Sequence, residues 1–186
     1  TLVDRDGNMV LGKSISGIDG EYNKSIMQKV RDLIRQGSIA AVKGIGGFHL
    51  AADAYNFMTL DRLRQNKRRV YKPFALMARD LKTARKVCRV SPVEARLLLD
   101  PASPIVVLDI RTDLEIEGML PLEKIAPGLK TLGIMLPYTP LHHLLFGDGL
   151  DLLVMTSANY SDEPLVKDNF EAINQLREIA DYLLLH

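Results

Sequence analysis

Ile26, Val30, Leu33 and Ile34 recur at i, i+4, i+7 and i+8, which places them on one face of a helix over residues 23–36. Gly37 suits the left-handed residue that ends such a helix. The period then shortens. Ile39-Ala40-Ala41-Val42 is a brief apolar run that predicts a buried strand, and it empties into the glycine-rich Lys43-Gly44-Ile45-Gly46-Gly47-Phe48. Phe57, Leu60 and Leu63 mark a second helix ending in the basic run Asn66-Lys67-Arg68-Arg69, and residues 73–77 read as a further strand. Ahead of all these, residues 2–10 read as a short hairpin turned by Asp6-Gly7-Asn8.

The second half repeats the alternation of short elements. Leu81, Ala84 and Val87 predict a short helix. Ser91-Pro92-Val93-Glu94 is a capping box with proline at the first helical position, opening a helix through Leu99. Strands follow at 105–108, 132–136 and 152–155, with a short helix over 140–146. Asp168-Asn169-Phe170-Glu171 reads as a second capping box, with Phe170, Ile173 and Leu176 turned inward. Residues 111–130 are polar and irregular and predict no element. Strands separated by helices, without strict βαβ alternation, point to an α/β (α+β) fold with a mixed, twisted open sheet and helices packed against it. No internal linker is visible, so residues 21–186 are expected to form one domain, with 1–20 as its lead-in.

Composition narrows the function classes. The 186 residues are 47% hydrophobic and 25% charged, which excludes a disordered chain. Lys+Arg 24 against Asp+Glu 23 leaves a net charge of +1, so no overall field recruits nucleic acid and any anion site has to be local. Cys88 is the sole cysteine, which excludes an internal disulfide and a multi-cysteine zinc site in these residues. No apolar run approaches the roughly 20 residues that span a bilayer. A start without methionine and an end inside the apolar run Tyr182-Leu183-Leu184-Leu185 are expected of a piece of a longer, cytoplasmic protein.

Several segments carry candidate chemistry. Gly7-Asn8-Met9-Val10-Leu11-Gly12-Lys13-Ser14 fits the phosphate-loop pattern G-x-x-x-x-G-K-[ST] by letter, but that loop needs a buried strand before it and a helix after it. Barely a turn precedes it, and Gly17 and Gly20 argue against a helix behind it, so the match is expected to be a decoy. The glycines of residues 43–47 do follow a strand. They allow either a close backbone approach to a ligand or a plain tight strand exit. Arg64, Lys67, Arg68, Arg69 and Lys72 concentrate positive charge before Pro73. That run reads as a solvated helix end, as a phosphate clamp pinned beside the sheet, or as an RNA contact, the last without aromatic residues interleaved for base stacking. Thr156-Ser157-Ala158-Asn159-Tyr160-Ser161 ends the strand over 152–155 with hydroxyls and an amide, suited to phosphate or ribose oxygens or to an ordinary turn. His142 and His143 are adjacent, so at most one faces a given site, and both are read as structural. The residues alone point to an anion or nucleotide pocket.

Four blocks add a resemblance. Residues 41–50 (Ala41-Val42-Lys43-Gly44 through His49-Leu50), 67–77, 136–142 and 156–164, in this order, resemble the YrdC-like domain of the HypF family of hydrogenase-maturation carbamoyltransferases. The likeness spans roughly Gly37 to the end. It implies a K-x-R motif in Lys67 and Arg69 and an S-x-N motif in Ser157 and Asn159, both binding ATP, with Lys72 and Ser161 in support. It further implies a concave basic face and ATP-dependent formation of a carbamoyl-adenylate from the carbamoyl unit of carbamoyl phosphate, with release of pyrophosphate. Lys43 and His49 are then the expected contacts to the carbamoyl substrate, Mg²⁺ is expected with ATP, and HypE is the partner of the full-length protein. Upstream zinc fingers are implied outside these residues, which hold no zinc. The related threonylcarbamoyl-adenylate synthases carry P-T-x-T where this sequence has Lys43-Gly44-Ile45-Gly46. A synthase for tRNA modification and a non-catalytic double-stranded RNA module are the alternatives, and neither nucleic acid nor a membrane is the expected partner.

Overall fold

The computed structural model describes residues 1–12, 20–111, 120–147, 149–160 and 164–185. The first hairpin, β1 (Leu2–Asp4) and β2 (Met9–Leu11), forms as expected, with Asp4 accepting from the amides of Asp6 and Asn8 to close its turn. The first residues of the phosphate-loop match are therefore a hairpin turn at Gly7 and the strand β2, which pairs back antiparallel on β1. Lys13 and Ser14 lie outside the described residues.

The chain continues through α1 (Gly20–Arg35), β3 (Ala40–Lys43), β4 (Phe48–Asp53), α2 (Phe57–Asn66), β5 (Leu76–Ala78), α3 (Leu81–Val87) and α4 (Pro92–Leu98). It then forms β6 (Val106–Asp109), α5 (Leu122–Ile125), β7 (Thr131–Met135), α6 (Pro140–Leu145), β8 (Leu152–Ser157), α7 (Asn169–Leu176) and β9 (Tyr182–Leu184). Among the described residues the strands make one mixed sheet of nine in the order β2-β1-β9-β3-β4-β8-β5-β7-β6. Only β3 with β9 and β5 with β7 run parallel; the other pairs are antiparallel.

Alternation along the strands sorts the core into two layers. Ala41, Leu50, Leu76, Leu132, Ile134 and Val154 face a layer built with α2, α3, α4, α5 and α7. Ala40, Val42, Ala51, Met77, Leu153 and Met155 face a second layer closed by α1 and α6. That second layer stops short of the sheet's far edge. Ile105 and Val107, beside and on the edge strand β6, are more than half exposed on the uncovered part of the face.

Several expectations need correction. Residues 48–53 form a central strand that the sequence pattern did not mark, and the apolar end of the chain forms β9 between β1 and β3. Within 111–130, read as irregular, α5 and its flanks are ordered against the core through Leu120, Ile125 and Ala126. In α7, Asp168 caps the helix through the amides of Phe170 and Glu171, but Phe170 points to solvent. Leu176 is buried as expected, Ile173 is half-buried against the core, and Ala172 takes the inward place in the first turn.

Candidate functional site

The uncovered part of the second face is a cleft of about 810 Å³. That is within the roughly 300–1,000 Å³ of ligand sites. Thr131, Gly133 and Met135 of β7 form its floor, every second residue of the strand, beside Ile105 and Val107. Arg69, Lys72 and Ser157 bring polar groups to one wall, and His49 and Tyr138 also line the cleft.

The basic run does not continue α2. The helix ends at Asn66 with Lys67 as its C-cap, and Arg68 takes φ 52° to turn the chain away. Arg64 organises the loop beyond that turn. Its guanidinium donates to the carbonyls of Arg69, Val70, Lys72, Lys124 and Ile125, and lies 4.6 Å from the centroid of Phe74. Arg69 folds back over the same ring at 5.1 Å and donates to the carbonyls of Lys72 and Pro73 and, at 3.3 Å, to the Thr156 hydroxyl.

Segments about ninety positions apart therefore meet. Lys67 is 1% exposed, and its ammonium donates to the carbonyls of Ser157 at 2.7 Å and Asn159 at 2.6 Å. The Ser157 hydroxyl donates to Asn159 Oδ1 at 2.6 Å. Burial lowers the Lys67 pKa to about 8, with the charges of Arg69 and Lys72 adding to it. Burial also lowers that of Arg69, with Arg64 contributing. Such crowding of cations costs free energy, and a nearby anion would lower that cost.

Other expected site residues are distributed differently. The glycine-rich segment is the hairpin joining β3 to β4, closed by the Gly44 amide on the Gly47 carbonyl at 2.8 Å. Lys43 and His49 do not share a surface. Lys43 pairs with Phe48 on the α7 side, donates to Asn169 Oδ1 at 2.8 Å and lies 5.7 Å from the Phe48 ring. His49 pairs with Ser157 on the cleft side. Ser161 lies outside the described residues.

Sequence reasoning missed Arg64 as the organiser of the loop and Thr156 as an acceptor for Arg69. No local pattern marks these roles, because each depends on which strand neighbours which. His142 is 2% exposed, packs edge-on to Tyr138 at 4.4 Å and stands 6.4 Å from His49. Burial takes its pKa down to about 4, with the neighbouring His49 and His143 adding to the effect, and burial lowers that of His49. Both rings are thus neutral near pH 7. No group of three or more His, Cys, Asp or Glu is placed to hold a metal among the described residues.

Residues 32–186 match the Sua5/YciO/YrdC family, described as "Telomere recombination". The chain belongs to that family. Among its relatives, the carbamoyltransferase HypF of Rhodobacter capsulatus is 52% identical over 153 residues, covering 82% of this chain and 20% of the relative. A crystal structure of full-length HypF in a phosphate- and nucleotide-bound form superposes with a TM-score of 0.80 at 41% identity, covering all of this chain and 22% of that one. The T. kodakarensis HypF structure gives a TM-score of 0.83 at 40% identity over 99% of this chain and 22% of that one. This YrdC-family chain thus spans about one fifth of the length of the curated relative it matches. Its mixed sheet with helices packed on both faces is the family's fold. No helix among the described residues is long and apolar enough to cross a membrane.

Proposed function

We propose that the chain performs the adenylation step of a HypF-type carbamoyltransferase, joining carbamate to the adenylyl group of ATP. The observation that carries this reading is the meeting of Arg69 and Lys72 with Ser157 at one wall of the cleft, in a sequence 52% identical to a carbamoyltransferase over 153 residues. A carbamate oxygen bonds to the α-phosphorus, the bond from that phosphorus to the β-phosphate bridging oxygen breaks, and pyrophosphate leaves. This chemistry needs two anions aligned and charge neutralised, which Arg69 and Lys72 supply without a covalent nucleophile. The Ser157 hydroxyl and the Asn159 amide would hold phosphate or ribose oxygens, and His49 stands where the carbamoyl end could lie. Mg²⁺ would arrive with the triphosphate as part of the substrate. Release of carbamate from carbamoyl phosphate and transfer of the carbamoyl group to HypE would fall to other parts of a full-length protein.

The test is ATP affinity in the full-length protein. Losing a charge-assisted contact typically costs about 1.5–3 kcal/mol, against about 0.5–1.5 for a neutral one. Arg69→Ala should therefore weaken ATP binding by tenfold or more, Ser157→Ala by less, and the double variant should depart from additivity because both act on one anion. Carbamoyl-phosphate-dependent exchange of labelled pyrophosphate into ATP should fall in parallel. Exchange driven by threonine and bicarbonate would assign the synthase reaction instead, and strongly salt-dependent binding of duplex RNA without ATP binding would remove the enzyme reading.

A further inference from the structure

Arg64 and Lys67 stand one helical turn apart on the C-terminal end of α2, and both are buried, at 9% and 1% exposure. Neither lines the cleft, whereas Arg69, Lys72 and Ser157 do. What the two cations share is the kind of group they bond. Arg64 gathers the carbonyls of Arg69 at 2.6 Å, Val70 at 3.0 Å and Lys72 at 3.3 Å, and ties them to the Lys124 carbonyl at 2.7 Å. Lys67 does the same for the opposite segment, through the Ser157 carbonyl at 2.7 Å and the Asn159 carbonyl at 2.6 Å. A side chain bonded to main-chain oxygens fixes where the chain runs, and so where the neighbouring side chains point.

We infer that Lys67 is a positioning residue, fixing the Ser157–Asn159 turn through its two carbonyls as Arg64 fixes the 69–72 loop, and that it does not itself contact the phosphates. One rigid element, the end of α2, then sets the spacing between the two halves of the anion site. This differs from the role expected of the lysine in a K-x-R motif, and it rests on the proposal that the cleft binds ATP. A buried ammonium suits the task better than an alkyl chain, because without it two main-chain oxygens lose a charged donor.

Two measurements on the full-length protein decide it. The first is ATP affinity, by calorimetry, for Lys67→Met alone and in a Ser157→Ala/Asn159→Ala background, with melting temperatures to confirm folding. A positioning lysine acts through those two side chains, so a loss of tenfold or more in the wild-type background should shrink to under threefold once they are gone. An undiminished loss in that background overturns the inference. The second is a crystal structure with a non-hydrolysable ATP analogue. Nζ should keep its two carbonyl bonds, and a phosphate oxygen within about 3.2 Å of it would overturn the inference. If the wild type binds no ATP, the functional proposal fails by itself. The unliganded structure of Lys67→Met, or of Lys67→Gln should the first not fold, then decides positioning: a displaced turn supports it and an unmoved Ser157 rejects it.

Discussion

His142 shows what the fold does to a single side chain. It sits two residues past Pro140, inside a helix capped by Thr139, and nothing in its immediate sequence separates it from the exposed His143. Burial between Tyr138 and His49 holds its pKa near 4, against 6.5 for an ordinary histidine. Between those values the unfolded chain binds the extra proton and the folded chain does not, so stability rises with pH across this window. The contribution is present above about pH 6.5 and is lost as the pH falls toward 4, amounting to about 3 kcal/mol at most. Urea unfolding at pH 7 and pH 4.5 should show that loss in the wild type and a smaller one in His142→Phe, which keeps an aromatic ring in place. An equal loss in both would mean that other groups, His49 first, carry the acid sensitivity. At this scale the sequence was legible wherever a local rule applied. The Ser91 capping box forms in full, and Asp168 caps α7. It was silent on Arg64 and Thr156, whose partners lie 60 and 87 positions away.

Among elements, those with a clear period were legible and those without one were not. The helix α1 and the strands β3, β6, β7 and β8 fall close to where their apolar spacing places them. The central strand β4 escaped because Leu50-Ala51-Ala52 is buried on both faces and shows no alternation. Three-residue β9 is defined by its neighbours β1 and β3 rather than by its own residues. Counting i, i+3 and i+6 turns Phe170 inward, but an eight-residue helix has one narrow face, and the smaller Ala172 fits the sheet. The hairpin between β3 and β4 gives a prediction of its own. Gly47 has φ +148°, and a Cβ there would lie 2.7 Å from Leu165 and from the Val166 carbonyl. The Phe48 amide, next along, donates to that same carbonyl at 2.8 Å, so the hairpin cannot shift freely. Gly47→Ala should destabilise by about 1–3 kcal/mol, read as a lower urea midpoint with an unchanged slope. Gly46→Ala, with open space around it, is the control and should cost little.

For the whole molecule, charges of 24 and 23 leave nothing to a global field, so the proposed anion site has to be local. Where that site lies depends on the sheet order, which places β8 between β4 and β5 and so brings Ser157 to the end of α2. Pairings of such separation are invisible to periodicity. Cys88, the sole cysteine, follows α3, bridges to Ile110 at the sheet's far edge and is 1% exposed. Burial pushes its thiol up to about 12, with Asp109 and Glu94 adding to the shift. The native thiol is therefore both shielded and almost wholly protonated at pH 8, whereas in an opened chain it returns to an ordinary reactive thiol. An alkylating reagent can then act as a clock. At low denaturant, iodoacetamide should modify Cys88 only through opening events, and the ratio of the unfolded to the native labelling rate should return the free energy of opening that edge. Labelling much faster than urea unfolding predicts would mean that α3 and the β6 edge open on their own while the rest of the sheet stays closed.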